Sequence, residues 1–409
     1  MDFLIAAVLS SGWLMNNTQK KLLLAGGGYA DIPLIQAAKK MGYYVITSGN
    51  RPEELGHQYS DEYRMADFSD KEAILNLARD LNVSALCACC NDFSALSCAY
   101  AAEKLGLPGH DSYDVAQVIH YKDRYREFAS RHDIAAPRAL SFSNKQDALQ
   151  GIGALSFPLI IKPVDLTGGK GMSTIKTMEE ADAALDKAFA ISRMKRVVVE
   201  EFINGSRHGF SAFLVDGKIV FYFSDNEHYF LNPYMVSAAS TPGLVPDTVK
   251  KKLCEDSEKI AALLSLKTGI FHIQYILRGQ EPVIIEICRR APGDLYVRFV
   301  EIATGVDYAS WIVKSAAGLN CSGLTHAKPR GFFTRHCVMS AKVGRVKEVV
   351  FDSCIEKNVV EKFMWWKRGD VISDVLTAKC GIVFLQFSSS DEMMDKTERM
   401  QELIRVEME

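Results

Sequence analysis

A mixed α/β and α+β architecture in three units follows from three features of this 409-residue sequence. From Lys20 to about Ile119, short apolar strands alternate with helical patterns, the signature of a parallel sheet covered by helices. Residues 271–290, FHIQYILRGQEPVIIEICRR, read as two apolar strands around a glycine-containing turn, an antiparallel hairpin. From about 325 to 409 the pattern is strand-rich and closes on a helix expected over Ser390–Arg405. With 48% hydrophobic residues the chain can bury a large core, and its length suggests several domains. The boundaries expected are an extension over 1–19, a parallel unit over 20–118, a central unit over 119–324 with a small subdomain at about 135–202, and a C-terminal unit over 325–409.

In chain order, the strand LLLA is followed by the turn Gly26-Gly27-Gly28, then by YYVIT, a helix over Lys71–Leu81, the strand SALCACC and a helix over Ser94–Leu105. The glycine turn invites a dinucleotide-binding reading. It lacks the third glycine of that fingerprint, however, and Thr47–Asn50 offers no acid for a ribose hydroxyl. A helix over His120–His132 leads to FPLIIKP, a strand bounded by prolines, and then to the loop Thr167–Ser173. A helix over Met178–Ala190, a buried strand over Arg196–Val199, a strand over Asp216–Phe223 and an amphipathic helix over Asp247–Leu266 precede the hairpin.

Composition excludes several classes. A net charge of −2 with no basic tract signals neither nucleic-acid binding nor attraction to an acidic membrane surface. The ten cysteines show no paired C-x-x-C spacing, which points to a reduced, cytoplasmic protein; Cys87, Cys89 and Cys90 sit in an apolar run as small hydrophobes. The opening MDFLIAAVLSSGWL imitates a leader, but Asp2 stands where a basic region belongs, and about ten apolar residues cannot span a bilayer. Met15 is the expected initiator, and a native N-terminus retaining Met1 would refute that.

Chemistry concentrates in the hairpin. Side chains alternate along a strand, so His272 and Gln274 share one face of the first arm, and Glu286, Cys288 and Arg290 share one face of the second. A turn centred on Gln280 sets Gln274 opposite Glu286 and His272 opposite Cys288, with Cβ atoms about 5 Å apart. Ile273, Tyr275, Leu277, Ile285 and Ile287 form the expected core face. One carboxylate and one amide oxygen suit a hard cation that keeps phosphates and waters in its shell. Upstream, Lys162 ends an apolar strand and precedes a loop with three glycines and Lys170, a cradle for an anion. It is not a Walker A loop, because the spacing is absent and Ser173-Thr174-Ile175 continues as a strand where that motif needs a helix.

The order of these pieces carries a resemblance. Lys122 in HYKDR, Lys162 in IIKP, the TGGKGMS loop, EEFI and the Gln274/Glu286/Arg290 hairpin succeed one another as in the ATP-grasp superfamily, and the flanking units look like its biotin-carboxylase-type subgroup. The resemblance implies a pre-ATP-grasp domain, an ATP-grasp domain with a lid subdomain, and a β-rich C-terminal domain. It also implies that Lys122 and Lys162 hold ATP phosphates, and that Thr167, Gly168, Gly169, Lys170, Gly171 and Met172 belong to the lid loop. Glu200, Glu201, Phe202 and Ile203 would form the hinge whose backbone reads adenine, with His208 on the ribose side. Gln274 and Glu286 would ligate Mg2+ or Mn2+, with Cys288 a weak third, and Arg290 would steady an acyl phosphate. Two departures stand out: Cys288 replaces a common asparagine and is a poor partner for a hard cation, and Gln274 replaces the commoner glutamate. Asp294, in RAPGD, stands near a catalytic acid of biotin carboxylases, but the MNTRIQVEH-like signature is missing, which argues against biotin carboxylation.

Relatives of this layout activate a carboxylate with ATP and pass the acyl group to an amine, so the leading expectation is an ATP-dependent carboxylate–amine ligase acting on a small amino acid or carboxylic acid. The GRVKEVVF and KRGDVIS segments look like the C-terminal domain of amino-acid ligases of this type. The alternatives are a bicarbonate-activating carboxylase or carbamoyl-phosphate-type enzyme, and a nucleotide-binding module without turnover. Small-molecule carboxylate and amine partners are expected, no nucleic acid and no membrane, and a homodimer is compatible. The polar, aromatic run SDNEHYFLNPYMVSAAST is expected to line the substrate pocket, with His228 its polar contact.

Overall fold

The computed structural model describes residues 19–166 and 168–409. The stretch 1–18, with the expected start at Met15, lies outside the described residues, as does Thr167 of the glycine loop.

Strands β1 (Lys21–Ala25), β2 (Tyr44–Gly49), β3 (Glu62–Met65) and β4 (Ala85–Ala88) form a parallel sheet in the order β3-β2-β1-β4. Central β1 is apolar because both its faces are covered: Leu22, Leu23, Leu24 and Ala25 are fully buried. The edge strand β3 escapes the sequence reading, since Glu-Tyr-Arg-Met has no apolar run and only half-buries. Asp70 caps the helix Lys71–Asp80 by accepting from the amides of Glu72 and Ala73.

The single helix expected over His120–His132 is two, Tyr113–His120 and Lys122–Arg131, because Tyr121 takes an extended conformation. That break puts Lys122 in the first turn of the second helix. Strands β5 (Ala139–Phe142), β6 (Leu159–Pro163), β7 (Ser173–Ile175) and β8 (Val197–Glu201) make a separate antiparallel sheet, β5-β8-β6-β7, with helices Lys145–Gly151 and Ala181–Ile191 packed on its own small core.

The remaining strands are β9 (Ser206–Val215), β10 (Lys218–His228), β11 (Ala238–Thr241), β12 (Gly269–Arg278), β13 (Glu281–Cys288), β14 (Phe332–Val338), β15 (Gly344–Phe351), β16 (Val359–Met364), β17 (Val371–Ile372), β18 (Gly381–Phe387) and β19 (Ile404–Met408). Eight of them form one sheet, β13-β12-β9-β10-β11-β14-β18-β16, so the line expected at 324/325 crosses continuous backbone pairing from β11 to β14. The terminal helix is shorter than expected. It breaks after Glu398, and Ile404–Met408 leaves as β19 to pair with β15, an alternation of Ile404, Val406 and Met408 that was masked by the helical pattern before it.

In the hairpin, Gln274 pairs with Glu286 and His272 with Cys288, as the sequence suggests. The turn itself is tighter, with Arg278 opposite Glu281 across Gly279-Gln280 and Gly279 at φ +65°. A bulge between Gln274 and Tyr275 reconciles the two by pairing Tyr275 with Ile284. Its cost to the sequence reading is Ile285, which was expected in the core. Ile284 is fully buried there instead, and Ile285 faces the cleft beside Glu286.

Candidate active site

A cleft of about 560 Å³ opens where the carboxyl ends of β1 and β2, the small sheet and one face of the large sheet converge. Lys162 reaches it from the end of β6, where it is buried, with Nζ 2.6 Å from Glu200 Oε2 on neighbouring β8. Glu200 also pairs with Arg126 Nε at 3.1 Å. Burial pushes the Lys162 ammonium down, with the Glu200 charge opposing it. For Glu200, burial favours the neutral acid, but Arg126 and then Lys162 outweigh it and hold the carboxylate below its ordinary range. Two cations thus share one anion, leaving surplus positive charge at the cleft wall.

Lys122 donates from Nζ to the Leu166 carbonyl at 2.8 Å, and the same atom lies 3.5 Å from Glu286 Oε1. The first helical turn therefore ties the loop leaving β6 to the hairpin. In that loop Gly168, Gly169 and Gly171 all take positive φ, at +68°, +75° and +70°. Gly168, Gly169 and Met172 line the cleft. Lys170 and Gly171 do not: Lys170 is exposed to solvent, and Gly171 packs so closely that a Cβ would meet Ile191 Cδ1 at 2.4 Å. Gly169 approaches the segment after β10 in the same way, a Cβ there standing 2.5 Å from that of Tyr234, and the Thr174 hydroxyl bonds to the Tyr234 hydroxyl at 2.9 Å.

All four residues Glu200, Glu201, Phe202 and Ile203 line the cleft. Their backbone is unequally available. The Glu201 amide donates to the Arg138 carbonyl at 3.0 Å and the Phe202 amide to that of Pro158 at 2.9 Å, while the Ile203 amide has no partner among the described residues.

Two expected contacts fall away from the cleft, both through strand alternation. His208 shares the β9 face of Phe210 and Ala212, stacks on Tyr275 with ring centroids 5.3 Å apart and bonds Ser206 Oγ at 2.7 Å; burial lowers its pKa to about 4. Arg207, one residue earlier, lines the cleft in its place and lies over the Tyr229 ring at 4.3 Å. His228 likewise points to the far side of β10, bonding Ser240 Oγ at 3.0 Å, while Asp225, Glu227 and Tyr229 face inward. The polar run thus borders the cleft through Asp225, Glu227 and Tyr229, and His228 does not line it.

Gln274 and Glu286 both line the cleft. The Gln274 amide nitrogen donates to Glu227 Oε1 at 2.7 Å, and Tyr229 donates to Glu227 Oε2 at 2.6 Å. This orients the Gln274 carbonyl oxygen away from Glu227, so the pair presents one amide and one carboxylate oxygen, a donor set that fits Mg2+. Cys288 lies beside them, but burial pushes its thiol well above the ordinary range; a neutral thiol leaves the hard cation to the oxygens and water. Arg290 is held by Asp92, Nε and one terminal nitrogen meeting the two carboxylate oxygens at 3.0 and 3.1 Å, and His120 Nδ1 meets the same carboxylate at 3.0 Å. Burial opposes the Arg290 charge, yet Asp92 keeps it firmly cationic.

Asp294 is in the cleft at φ +57°, but not as a free acid. Lys379 meets Oδ1 at 2.5 Å, Tyr29 donates to the same oxygen at 2.6 Å, and Arg335 lies 3.5 Å from Oδ2. Burial would raise its pKa, but Lys379 and Arg335 hold the carboxyl well below the carboxylate range. In this structure its carboxylate is committed to Lys379, Tyr29 and Arg335, a set of contacts that joins the N-terminal unit to the C-terminal strands.

Sequence reading missed Asp92, Asp225, Glu227, Arg335 and Lys379, all of which line the cleft. Asp225 and Glu227 carried a signal, two acids spaced by two in a strand pattern. Asp92 and Lys379 are far from the hairpin in sequence and carried none. Among the described residues no cluster of three or more His, Cys, Asp or Glu forms a metal site, all ten cysteines are free, and no helix is long and apolar enough to cross a membrane.

Residues 122–323 match the family model described as carbamoyl-phosphate synthase L chain, ATP binding domain. The carbamoyl phosphate synthase large chain of Clostridium botulinum is 24% identical over 324 residues, covering 73% of this chain and 30% of that protein. The chain thus spans about a third of the length of the curated relatives first matched. Among solved structures, phosphoribosylglycinamide synthetase from Anaerococcus prevotii superposes with a TM-score of 0.75 at 22% identity, covering 96% of this chain and all of that one. L-amino acid ligase from Bacillus licheniformis superposes at 0.79 with 17% identity, covering 96% and 99%.

Proposed function

Starting from a chain that has the ATP-grasp fold, with a carbamoyl-phosphate-synthase-type ATP-binding domain over 122–323, we propose that it is an ATP-dependent carboxylate–amine ligase. The observation that carries the reading is the convergence of Lys122, Lys162, Gln274, Glu286 and Arg290 on one cleft, although 168 residues separate the first from the last. ATP supplies the phosphoryl group and Mg2+ would screen its charge, held by Gln274 and Glu286. Lys162 and Lys122 grip phosphate oxygens, since phosphoryl transfer is helped by fixed positive charge that is already in place. The Ile203 amide, without a partner among the described residues, takes the edge of adenine. Arg290, held rigid by Asp92, faces the acyl phosphate, and the lid residues Gly168, Gly169 and Met172 keep water from it.

The product is an amide, with ADP and phosphate released. A small amino acid or carboxylic acid suits the cleft, whose floor carries Asp225, Glu227 and Arg335. No separate observation favours bicarbonate activation or binding without turnover. The deciding experiment is Mg2+-dependent ADP release across panels of carboxylates and amines, with hydroxylamine as a general acceptor that captures an acyl phosphate as hydroxamate. Hydroxamate and ADP in equal amounts support the reading; ATP binding with neither product across the panels overturns it.

A further inference from the structure

We propose that Asp225 receives the cationic amine of the second substrate and takes its proton, an inference that rests on the ligase reading above. Strand pairing lays Glu286, Gln274, Gly209 and Asp225 in one row across four neighbouring strands. Two strand spacings, about 10 Å, separate the Gln274 and Asp225 backbones. Gly209 is the gap between them: a Cβ there would stand 2.7 and 2.8 Å from the two Asp225 carboxylate oxygens. The missing side chain lets the carboxylate lie over the β9 backbone, while the Gln274 amide bonds to Glu227 instead.

The two oxygens of Asp225 differ. Oδ2 accepts from the Tyr296 hydroxyl, whereas Oδ1 has no partner among the described residues although the side chain is 1% exposed. A buried carboxylate at a cleft wall with one unpaired oxygen is costly unless something cationic comes to it. Glu227, the other acid on this strand, already accepts from Gln274 and Tyr229, so it adds field rather than a free oxygen. The remaining charged or titratable neighbours are Arg335 from β14 and His272 and Tyr275 from β12, together with Tyr296. Burial first and the Glu227 charge second raise Asp225 to about 7, against the Tyr296 hydroxyl, Arg335 and the Gly209 amide, which pull it down. A base that ionises near neutrality is matched to an ammonium that must lose one proton before it can attack.

The step balances. The ammonium transfers one proton to Oδ1, and the freed nitrogen lone pair forms the C–N bond to the acyl carbon. The carbon–oxygen bond to phosphate breaks with its electrons on the departing oxygen, which takes the second nitrogen proton. Asp225 returns its proton to water when the amide leaves.

Hydroxylamine is already neutral at pH 7 and needs no base, so it separates the two halves of the reaction. The probes are the twenty common L-amino acids as carboxylates, with hydroxylamine or glycine as acceptor. In D225N, hydroxamate formation is expected to persist at close to the wild-type rate while amide formation falls about 10²- to 10⁴-fold. Equal loss of both in a D225N protein that is still stabilised by Mg-ATP overturns the proposal, as does equal retention. Should D225N not fold, Y296F serves: loss of the hydroxyl raises the Asp225 pKa, so the acid limb of amide formation moves to higher pH and that of hydroxamate formation stays. An unmoved limb overturns the proposal. A wild type that yields no hydroxamate with any probe fails the ligase reading itself, and the role of Asp225 with it.

Discussion

Gln274 and Glu227 are joined by a hydrogen bond of 2.7 Å from the amide nitrogen to the carboxylate, between strands that are not neighbours in the sheet. An amide can ligate through oxygen only if its nitrogen has somewhere else to go, and Glu227 provides that place. Glu227→Ala is therefore expected to free the Gln274 rotamer without removing a ligand, raising the Mg2+ concentration for half-maximal ADP release about 10-fold or more. A Mg2+ titration of the variant at saturating ATP checks this, and an unchanged midpoint would separate Gln274 from the cation.

Lys162 shares Glu200 with Arg126, so its removal does not strand the carboxylate altogether. Breaking a buried pair from one side costs about 3–5 kcal/mol, and the surviving Arg126 contact places Lys162→Met near the lower end, about 3 kcal/mol. Urea unfolding measures that loss. If the ammonium also grips phosphate, the variant loses the increase in Tm that Mg-ATP gives the wild type, whereas a purely structural lysine leaves the increment intact.

How far the sequence led can be judged at particular residues. Lys162, Gln274 and Glu286 were legible because a strand has one periodicity, and each sits where an apolar run meets a turn or faces a partner across a hairpin. The bulge at Ile285 was not legible, since nothing local distinguishes Ile284 from Ile285; the difference is made by what packs on each side. His208, carried over from the resemblance, and His228, chosen within a polar run, both lie on the strand faces turned from the cleft, because alternation gives the cleft to Arg207 and to Glu227 and Tyr229 instead. Asp92 holding Arg290, and Lys379 holding Asp294, are contacts across 198 and 85 residues that only tertiary packing creates.

Acid should weaken the fold well above the range of ordinary carboxylates. Burial lowers His208 to about 4, and burial with help from neighbouring arginines lowers His272 and His336 to about 3. The unfolded chain binds those protons near pH 6.5 and the folded chain does not, so between 6.5 and the folded values stability rises with pH and is lost as pH falls. Each such histidine costs about 2 kcal/mol by pH 5. Asp225 has the opposite sign, since its raised pKa favours the folded state on acidification from 7 toward 4, and the raised carboxyls of Asp31, Glu54 and Glu227 act with it; His228, lowered to about 4, adds to the histidine side, which is expected to prevail. Urea midpoints are expected to fall between pH 7 and pH 5, and His336→Gln, which cannot protonate, should reduce the pH slope by close to one proton.

The glycine loop, proposed above to act as a lid, is the last point of leverage. Gly169 sits at φ +75° with its α-carbon against Tyr234, so a side chain there meets both a conformational penalty and a collision with Tyr234 Cβ at 2.5 Å. The left-handed conformation alone costs about 1–2 kcal/mol for a residue with a Cβ. Gly169→Ala is expected to hold the loop off the segment after β10, lowering the rate of ATP-dependent product formation about 10-fold. Because an open lid admits water, it should also raise the ratio of ADP released to amide formed, and that ratio is the discriminating measurement. Gly168→Ala carries the same backbone penalty, at φ +68°, but has open space around its α-carbon, so it should slow turnover less and leave the ratio near that of the wild type. Identical behaviour of the two variants would show that backbone strain, and not contact with Tyr234, governs closure.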